Sequence, residues 1–357
     1  MSTDFQNFFV GTYSKKGPYV PNANGEGILC CSLNLDSGEI KKESVYTNTF
    51  NATYLGKDSE RNLFAACDYF DKIGEIQAFK IKEENKLERL SVSSSKGQST
   101  CHLCVDNKRK QVYAASYMDG KLSRHSFDGK SLEQSPQVLS FEGSGPYKER
   151  QEAAHIHQVE IHPNGKWLYA CDLGSDAILQ FRMPENNGEL QLVRRISAPP
   201  GSGPRHLVFH PNKALAYLFC ELDSNVLTYT IDENSGDMNL NDCISSLPED
   251  FDGIPAGAAI KIHPSAKTLY VSNRNHHSIS VFKVDENDGS LSLDSIFSSE
   301  GEEPRDFSVD PTGKWLLAAN QNSDCIVPFR LDPQSGLPEG SKGPIFRCGT
   351  PVCILFQ

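Results

Sequence analysis

The stretch HQVEIHPNGKWLYACDLGSDAILQF, residues 157–181, decides the fold because the chain repeats it. RHLVFHPNKALAYLFCELDSNVLTY at 205–229 and RDFSVDPTGKWLLAANQNSDCIVPF at 305–329 follow the same plan. From about Thr53 to Pro344 six segments share it: a short strand ending in a turn, an aromatic-apolar strand, a third strand, an acidic Gly turn and a fourth strand. The turns after the first strands (Ser59, Asn107, Pro163, Pro211, Pro264, Pro311) lie 48, 56, 48, 53 and 47 residues apart. Periods of this size with about four strands per unit predict a β-propeller, in which each unit is a blade that cannot bury its faces without neighbours. Runs such as LYVSN and ISVFKV, rich in β-branched and aromatic residues and bounded by Asp, Asn, Gly and Pro, supply the strands.

The ends of the chain supply a seventh blade. FFVGTYS from Phe8 reads as a second strand, GILCCSLNL as a third and IKKESVYT as a fourth, so the N-terminal copy lacks its first strand. TPVCILF from Thr350 reads as a first strand with nothing after it. Pairing the two closes the ring with one C-terminal and three N-terminal strands and removes an exposed sheet edge. The expectation is all-β: a seven-bladed propeller of four-stranded antiparallel blades, one domain over 1–357. At ~150 residues per domain the length would allow two, but no linker or low-complexity stretch divides the chain.

Eleven cysteines lie scattered over the strands without the spacing of a disulfide framework. Cys101 and Cys104 stand three apart in a strand and so point to opposite faces, which disfavours a metal or redox pair. The N-terminus has no secretory apolar region, and no run approaches the ~18 apolar residues of a membrane helix. The chain reads as soluble, reduced and cytosolic, with no membrane partner. Its net charge of −11, without a basic run, also makes nucleic acid a poor partner. A monomer is expected, since the ring covers its own edges.

Equivalent positions of a propeller form rings. The start of the innermost strand reads Thr53, Cys101, His157, Arg205, Ala258 and Arg305, where strand interiors favour Val, Ile or Thr. The end of the antiparallel second strand lies beside it and reads Asp68, Tyr117, Leu173, Glu221, Arg274 and Gln321, with Tyr13 from the closing blade. Both columns fall on one rim of the central channel. Charges there are costly unless paired or used for a ligand, and guanidiniums match a phosphate or carboxylate. The long interval before His157 inserts about eight residues in GSGPYKERQEAAHIH, which carries Arg150, Gln151, Glu152 and His155 toward the same rim. The candidate catalytic set is His157, Arg205, Glu221 and Arg274; His155, Arg150, Gln151, Asp68, Arg305 and Gln321 are candidate substrate contacts.

Blander readings stand beside these. Arg305 with Asp306, and Asp172, fit inter-blade salt bridges or polar caps as well as ligand contacts. His162, His210 and His263 adjoin turn prolines and read as turn residues. His276 and His277 lie in the loop after Arg274. The pair His155 and His157 could begin a zinc site, but nothing in the spacing demands a third ligand, so no metal is assigned. DENSG, DENDG and DPQSG lack the ligand order of calcium loops and read as hairpin turns needing positive φ.

FFVGTYS, ERQEAAHIHQV, CDLGSD, GSGPRHLVFHP, CEL, YVSNRNHHSISVF, EGEEPRDFSVDP and LLAANQNSD, taken in order, resemble the seven-bladed propeller family that contains bacterial 6-phosphogluconolactonase and the fungal 3-carboxy-cis,cis-muconate lactonizing enzyme. The resemblance covers nearly the whole chain. It implies a metal- and cofactor-independent site at the channel mouth, with functional residues at His157 (or His155), Arg205, Glu221 and Arg274. Departures are the NHHS loop after Arg274, where a glycine is more usual, and weak patterning of the second and third blades.

The reaction this implies is hydrolysis of a small anionic sugar-acid lactone, with 6-phosphogluconolactone of the pentose phosphate route as first choice. Glu221 or His157 would take a proton from water, and Arg205 and Arg274 would hold the oxyanion and the anionic substrate. The alternative chemistry is muconate lactonization, in which the same Glu or His protonates carbon. The alternative class is a non-enzymatic binding propeller, since fold alone does not establish catalysis.

Overall fold

The computed structural model describes residues 4–70, 72–185 and 188–357. The repeats appear as seven sheets. Blade 1 runs Ala52–Lys57, Asn62–Cys67, Ile73–Ile81, Leu87–Gln98; blade 2 Thr100–Asp106, Gln111–Ser116, Lys121–Ser126, Gln137–Ser140. Blade 3 runs Ile156–Ile161, Trp167–Asp172, Ala177–Arg182, Gln191–Ser197; blade 4 Pro204–Phe209, Leu215–Cys220, Asn225–Ile231, Met238–Ser245. Blade 5 runs Gly257–Ile262, Thr268–Asn273, Ser278–Val284, Leu291–Ser298; blade 6 Pro304–Val309, Trp315–Asn320, Cys325–Leu331, Pro338–Lys342. Blade 6 carries one addition not read from sequence, a two-residue strand Phe346–Arg347 on Cys325–Leu331. Among the described residues, helix is confined to two 3₁₀ turns, Glu83–Asn85 and Gln321–Ser323.

Blade 7 is assembled as the termini suggest. Pro351–Phe356 pairs antiparallel with Phe5–Thr12, which leads to Ile28–Asn34 and Ile40–Tyr46. Phe8 faces Phe356 and Gly11 faces Cys353 in this register. The fold class is that of a seven-bladed β-propeller.

The chain divides into two compact units, Met1–Leu55 with Lys82–Leu87 and Ile244–Gln357, and Gly56–Ile81 with Glu88–Cys243. The first holds blades 5 to 7. Within it Phe8, Leu29, Trp315, Leu317 and Phe356 form a buried cluster, and Tyr270, Ile279, Phe307 and Val327 form another. The second unit holds blades 2 to 4. There Trp167, Tyr169, Leu207, Phe209 and Tyr229 join blades 3 and 4, and Tyr113, Leu122, Ile156, Leu168 and Phe181 join blades 2 and 3. Each such side chain taken wholly from water contributes ~1.5–3 kcal/mol.

The acidic turns serve the packing. Asp232 Oδ1 accepts the backbone N–H groups of Asn234 and Ser235, both at 2.9 Å, and Gly236 takes φ +70°. The glycine seats on the preceding blade, where the Tyr169 hydroxyl donates to Gly236 O at 2.6 Å beside Trp167. The Tyr270 hydroxyl donates to Gly336 O in the same way in the first unit.

Candidate functional site

The residues singled out in the first-strand column share one backbone feature. In blade 4 Pro204 faces Cys220 while His206 faces Phe219, so Arg205 is left over. The same slip omits His157 in blade 3, Cys101 in blade 2 and Arg305 in blade 6, and blade 5 slips between Gly257 and Ile260. A bulge takes a residue out of the ladder and re-aims its side chain. The next residue can reach the neighbouring blade: Gln158 Oε1 accepts Leu207 N–H at 2.6 Å, and its Nε2 donates to Leu207 O at 3.1 Å. Asp306 Oδ2 likewise accepts Ile354 N–H at 2.8 Å, a structural role of the kind weighed for Asp306.

In the second unit the bulged Arg205 meets Glu221. Glu221 follows the strand Leu215–Cys220, and its N–H donates to Gly203 O at 2.8 Å, which fixes where its side chain starts. Its carboxylate accepts from Arg205 Nε at 2.9 Å through Oε2 and from Arg150 Nη2 through Oε1. The side chains of Arg205 and Glu221 are 3% and 5% exposed, whereas that of Arg150 is 41% exposed. Buried ions cost several kcal/mol each unless paired, and here one carboxylate serves two cations, with the exposed Glu152 carboxylate also acting on Arg150. Burial alone would lower the pKa of Arg150, but Glu221 and Tyr117 outweigh it and hold the guanidinium above its ordinary value. Arg205 Nη1 lies 3.4 Å from His206 Nε2, which must be the acceptor because a guanidinium only donates.

Aromatic rings line the same place. Tyr117 stacks on His155 at 4.4 Å between centroids and meets His157 edge-on at 5.8 Å. His157 in turn meets His206 at 5.1 Å, and His206 meets His102 at 5.3 Å. The Tyr117 hydroxyl lies 3.4 Å from Arg150 Nη2. Burial, then the Glu221 charge, pushes its phenol up to about 12, so it stays a neutral hydrogen-bond donor at neutral pH. His155 precedes the strand and His157 is bulged out of it. Both still reach Tyr117. His155 Nδ1 bonds Tyr117 O at 2.9 Å and Nε2 lies 3.2 Å from Glu152 Oε1, so both nitrogens are engaged and the ring props Tyr117.

Gln151 is corrected from substrate contact to loop anchor. It is fully buried. Its Nε2 donates to Leu173 O at 2.9 Å and Asp176 Oδ1 at 2.7 Å, while Oε1 accepts Tyr147 N–H at 3.1 Å. Asp176 also accepts Gly201 N–H at 2.7 Å and Gly203 N–H at 2.9 Å. The inserted loop is thereby tied to the approach to Arg205. Asp68 closes a turn, its Oδ1 accepting Phe70 N–H at 2.7 Å where Phe70 has φ +59°. His162 and His210 are turn residues, their Nδ1 atoms accepting Asn164 and Asn212 N–H.

Arg150, His155, His157, Arg205 and Glu221 are therefore gathered within the second unit. Tyr117 and His206 belong with them and were not selected from sequence, although Tyr117 stands in the column of Glu221 and His206 follows Arg205. Arg274, Arg305 and Gln321 lie in the first unit. There Arg274 donates from Nη2 to Gly257 O at 3.2 Å and lies 3.9 Å from Glu303. Arg305 lies over the Tyr13 ring at 5.7 Å, and Gln321 Nε2 donates to Asn322 Oδ1 at 3.1 Å. His277 Nδ1 accepts Glu303 N–H at 3.2 Å, and His276 bonds Ser278. The described residues contain no group of three His, Cys, Asp or Glu side chains placed to hold a metal ion.

Residues 7–356 match the family model described as lactonase, 7-bladed beta-propeller. The chain is 32% identical to 6-phosphogluconolactonase of Bacillus subtilis, over 98% of this chain and 97% of that one. It is 33% identical to 6-phosphogluconolactonase of Formosa agariphila, over 92% and 93%. Among solved structures, the periplasmic gluconolactonase of Pseudomonas aeruginosa superposes with a TM-score of 0.90 at 28% identity, covering 99% of both chains.

Proposed function

The chain belongs to the lactonase family of seven-bladed β-propellers, and from that premise we propose that it hydrolyses 6-phosphogluconolactone to 6-phosphogluconate. The observation that carries this reading is Glu221 held between Arg205 and Arg150 beside the edge contact of Tyr117 with His157. Both carboxylate oxygens already accept from guanidiniums, so Glu221 serves to orient the cations and His157 is the base. Water attacks the lactone carbonyl carbon as His157 takes its proton. Arg205 stabilises the oxyanion, the bond to the ring oxygen breaks, and His157 returns the proton to that oxygen. Base and oxyanion contributions of ~10²–10⁴ and ~10²–10³ suffice for a substrate that is already reactive.

The relatives named above act on lactones, and none of them favours muconate cyclization. The eleven cysteines are all thiols, and no helix of the described residues is long and apolar enough to cross a membrane. With a phosphorylated sugar acid as substrate, these features support work in the cytoplasm.

The test is 6-phosphogluconolactone loss in EDTA, read as NADPH formation by added 6-phosphogluconate dehydrogenase. Acceleration over spontaneous hydrolysis that His157→Asn and Arg205→Ala both lose is the expected result. No acceleration by folded wild type sinks the assignment. Arg274 joins the set by its place in the strand-end column and by family resemblance, and Arg274→Ala in the same assay decides its part.

A further inference from the structure

Arg150 differs from Arg205 in every respect that matters for reading a substrate. It is the exposed cation of the pair, it sits on the inserted loop rather than on a strand, and its hydrogen bonds to described residues all leave from Nη2. Nε and Nη1 have no hydrogen-bond partner among the described residues. Nε–H and Nη1–H point to different sides of the guanidinium, and each is a charged donor open to an anionic oxygen of a phosphate or carboxylate.

The loop is built to hold this side chain in place. Tyr147 O accepts the N–H groups of Arg150 at 2.9 Å and Gln151 at 2.8 Å, closing a tight turn. Gln151 buries the base of that turn against Leu173 and Asp176. A pre-organised donor loses little entropy on binding.

We infer that Arg150 is the specificity-determining residue of the site, its open Nε–H and Nη1–H donors reading a dianionic phosphate on the sugar end of the lactone while Arg205 and His157 act at the carbonyl. Loop-borne specificity over strand-borne chemistry is a common division of labour. This inference rests on the lactonase reading and deepens it: the strand residues accept any sugar lactone, and the loop selects the phosphorylated one.

The test compares wild type, Arg150→Ala and Arg150→Lys on 6-phosphogluconolactone and glucono-δ-lactone, with calorimetric titration of 6-phosphogluconate and gluconate. Expected is a fall of about 10- to 100-fold in the preference for the phosphorylated lactone in Arg150→Ala, carried by KM and partly restored by Lys. The calorimetric preference for 6-phosphogluconate over gluconate falls with it. An equal loss on both lactones, or an unchanged preference, overturns the inference. If wild type hydrolyses neither lactone, the lactonase reading fails. The titration still decides Arg150, and an affinity no greater for 6-phosphogluconate than for gluconate overturns its role.

Discussion

Arg205 donates to Glu221 at 2.9 Å from the position at which the register between the first two strands of blade 4 slips. The bulge that frees Arg205 and the strand end that presents Glu221 lie at the same point of blade 4, so the pair is set by backbone register. Glu221→Gln keeps the shape but removes the carboxylate charge that Arg205 and Arg150 share. It is expected to lower kcat/KM by ~10²–10³ while the near-ultraviolet circular dichroism of the fold persists. A variant within threefold of wild type would show that Glu221 does not orient the cations.

His125 makes stability depend on acid. Burial lowers its pKa to about 4, and its Nε2 pairs with Ser123 Oγ at 3.0 Å. The folded state binds the proton less readily than the unfolded chain, whose imidazole titrates near ~6.5. The stabilisation is therefore whole above pH ~6.5 and lost as pH falls toward ~4, a change of up to ~3 kcal/mol. Urea unfolding at pH 7 and pH 4.5 should show a smaller loss for His125→Gln than for wild type; identical losses would remove His125 as the cause.

Gly236→Ala tests the inter-blade seat. The position has φ +70°, and an added Cβ would lie 2.7 Å from the Trp167 ring. Left-handed strain and overpacking together should cost ~2–4 kcal/mol, seen as a lower urea midpoint at unchanged slope. Full stability would mean that the turn shifts off the Trp167 face without penalty.

Gln151→Ala separates anchor from ligand contact. Removing the amide leaves Leu173 O and the Tyr147 N–H without their partner, at ~1–3 kcal/mol, and loosens the turn that carries Arg150. A lower melting temperature with a raised KM and nearly constant kcat is expected. A kcat loss at full stability would return Gln151 to the substrate.

The strands and their order were legible because each repeat marks them chemically: a proline or asparagine turn, an aromatic run such as LYACD, an acidic Gly turn. The termini were legible as complementary fragments, TPVCILF having a first strand's pattern and FFVGTYS a second's. Bulges were not, since one skipped pairing leaves composition untouched and depends on the partner strand. The column containing His157 and Arg205 therefore marked unusual residues without the reason they project. Gln151 was misread because a polar residue between Arg150 and Glu152 looks like its neighbours, and only the buried carbonyl of Leu173 and carboxylate of Asp176 show what its amide is for. Tyr117 was passed over because a tyrosine in a strand is ordinary until a guanidinium and two imidazoles are found around it.

The pairing of Pro351–Phe356 with Phe5–Thr12 has a consequence for biosynthesis. Gln6 Nε2 bonds Gln357 O across 351 residues of sequence, so on a ribosome the strand Phe5–Thr12 waits for Pro351–Phe356. Until Pro351–Phe356 clears the exit tunnel, Phe8, Val10 and their neighbours lack the strand that covers them. A nascent chain arrested with Pro351–Phe356 still in the tunnel should bind holdase chaperones through Phe5–Thr12 and let go once that strand emerges.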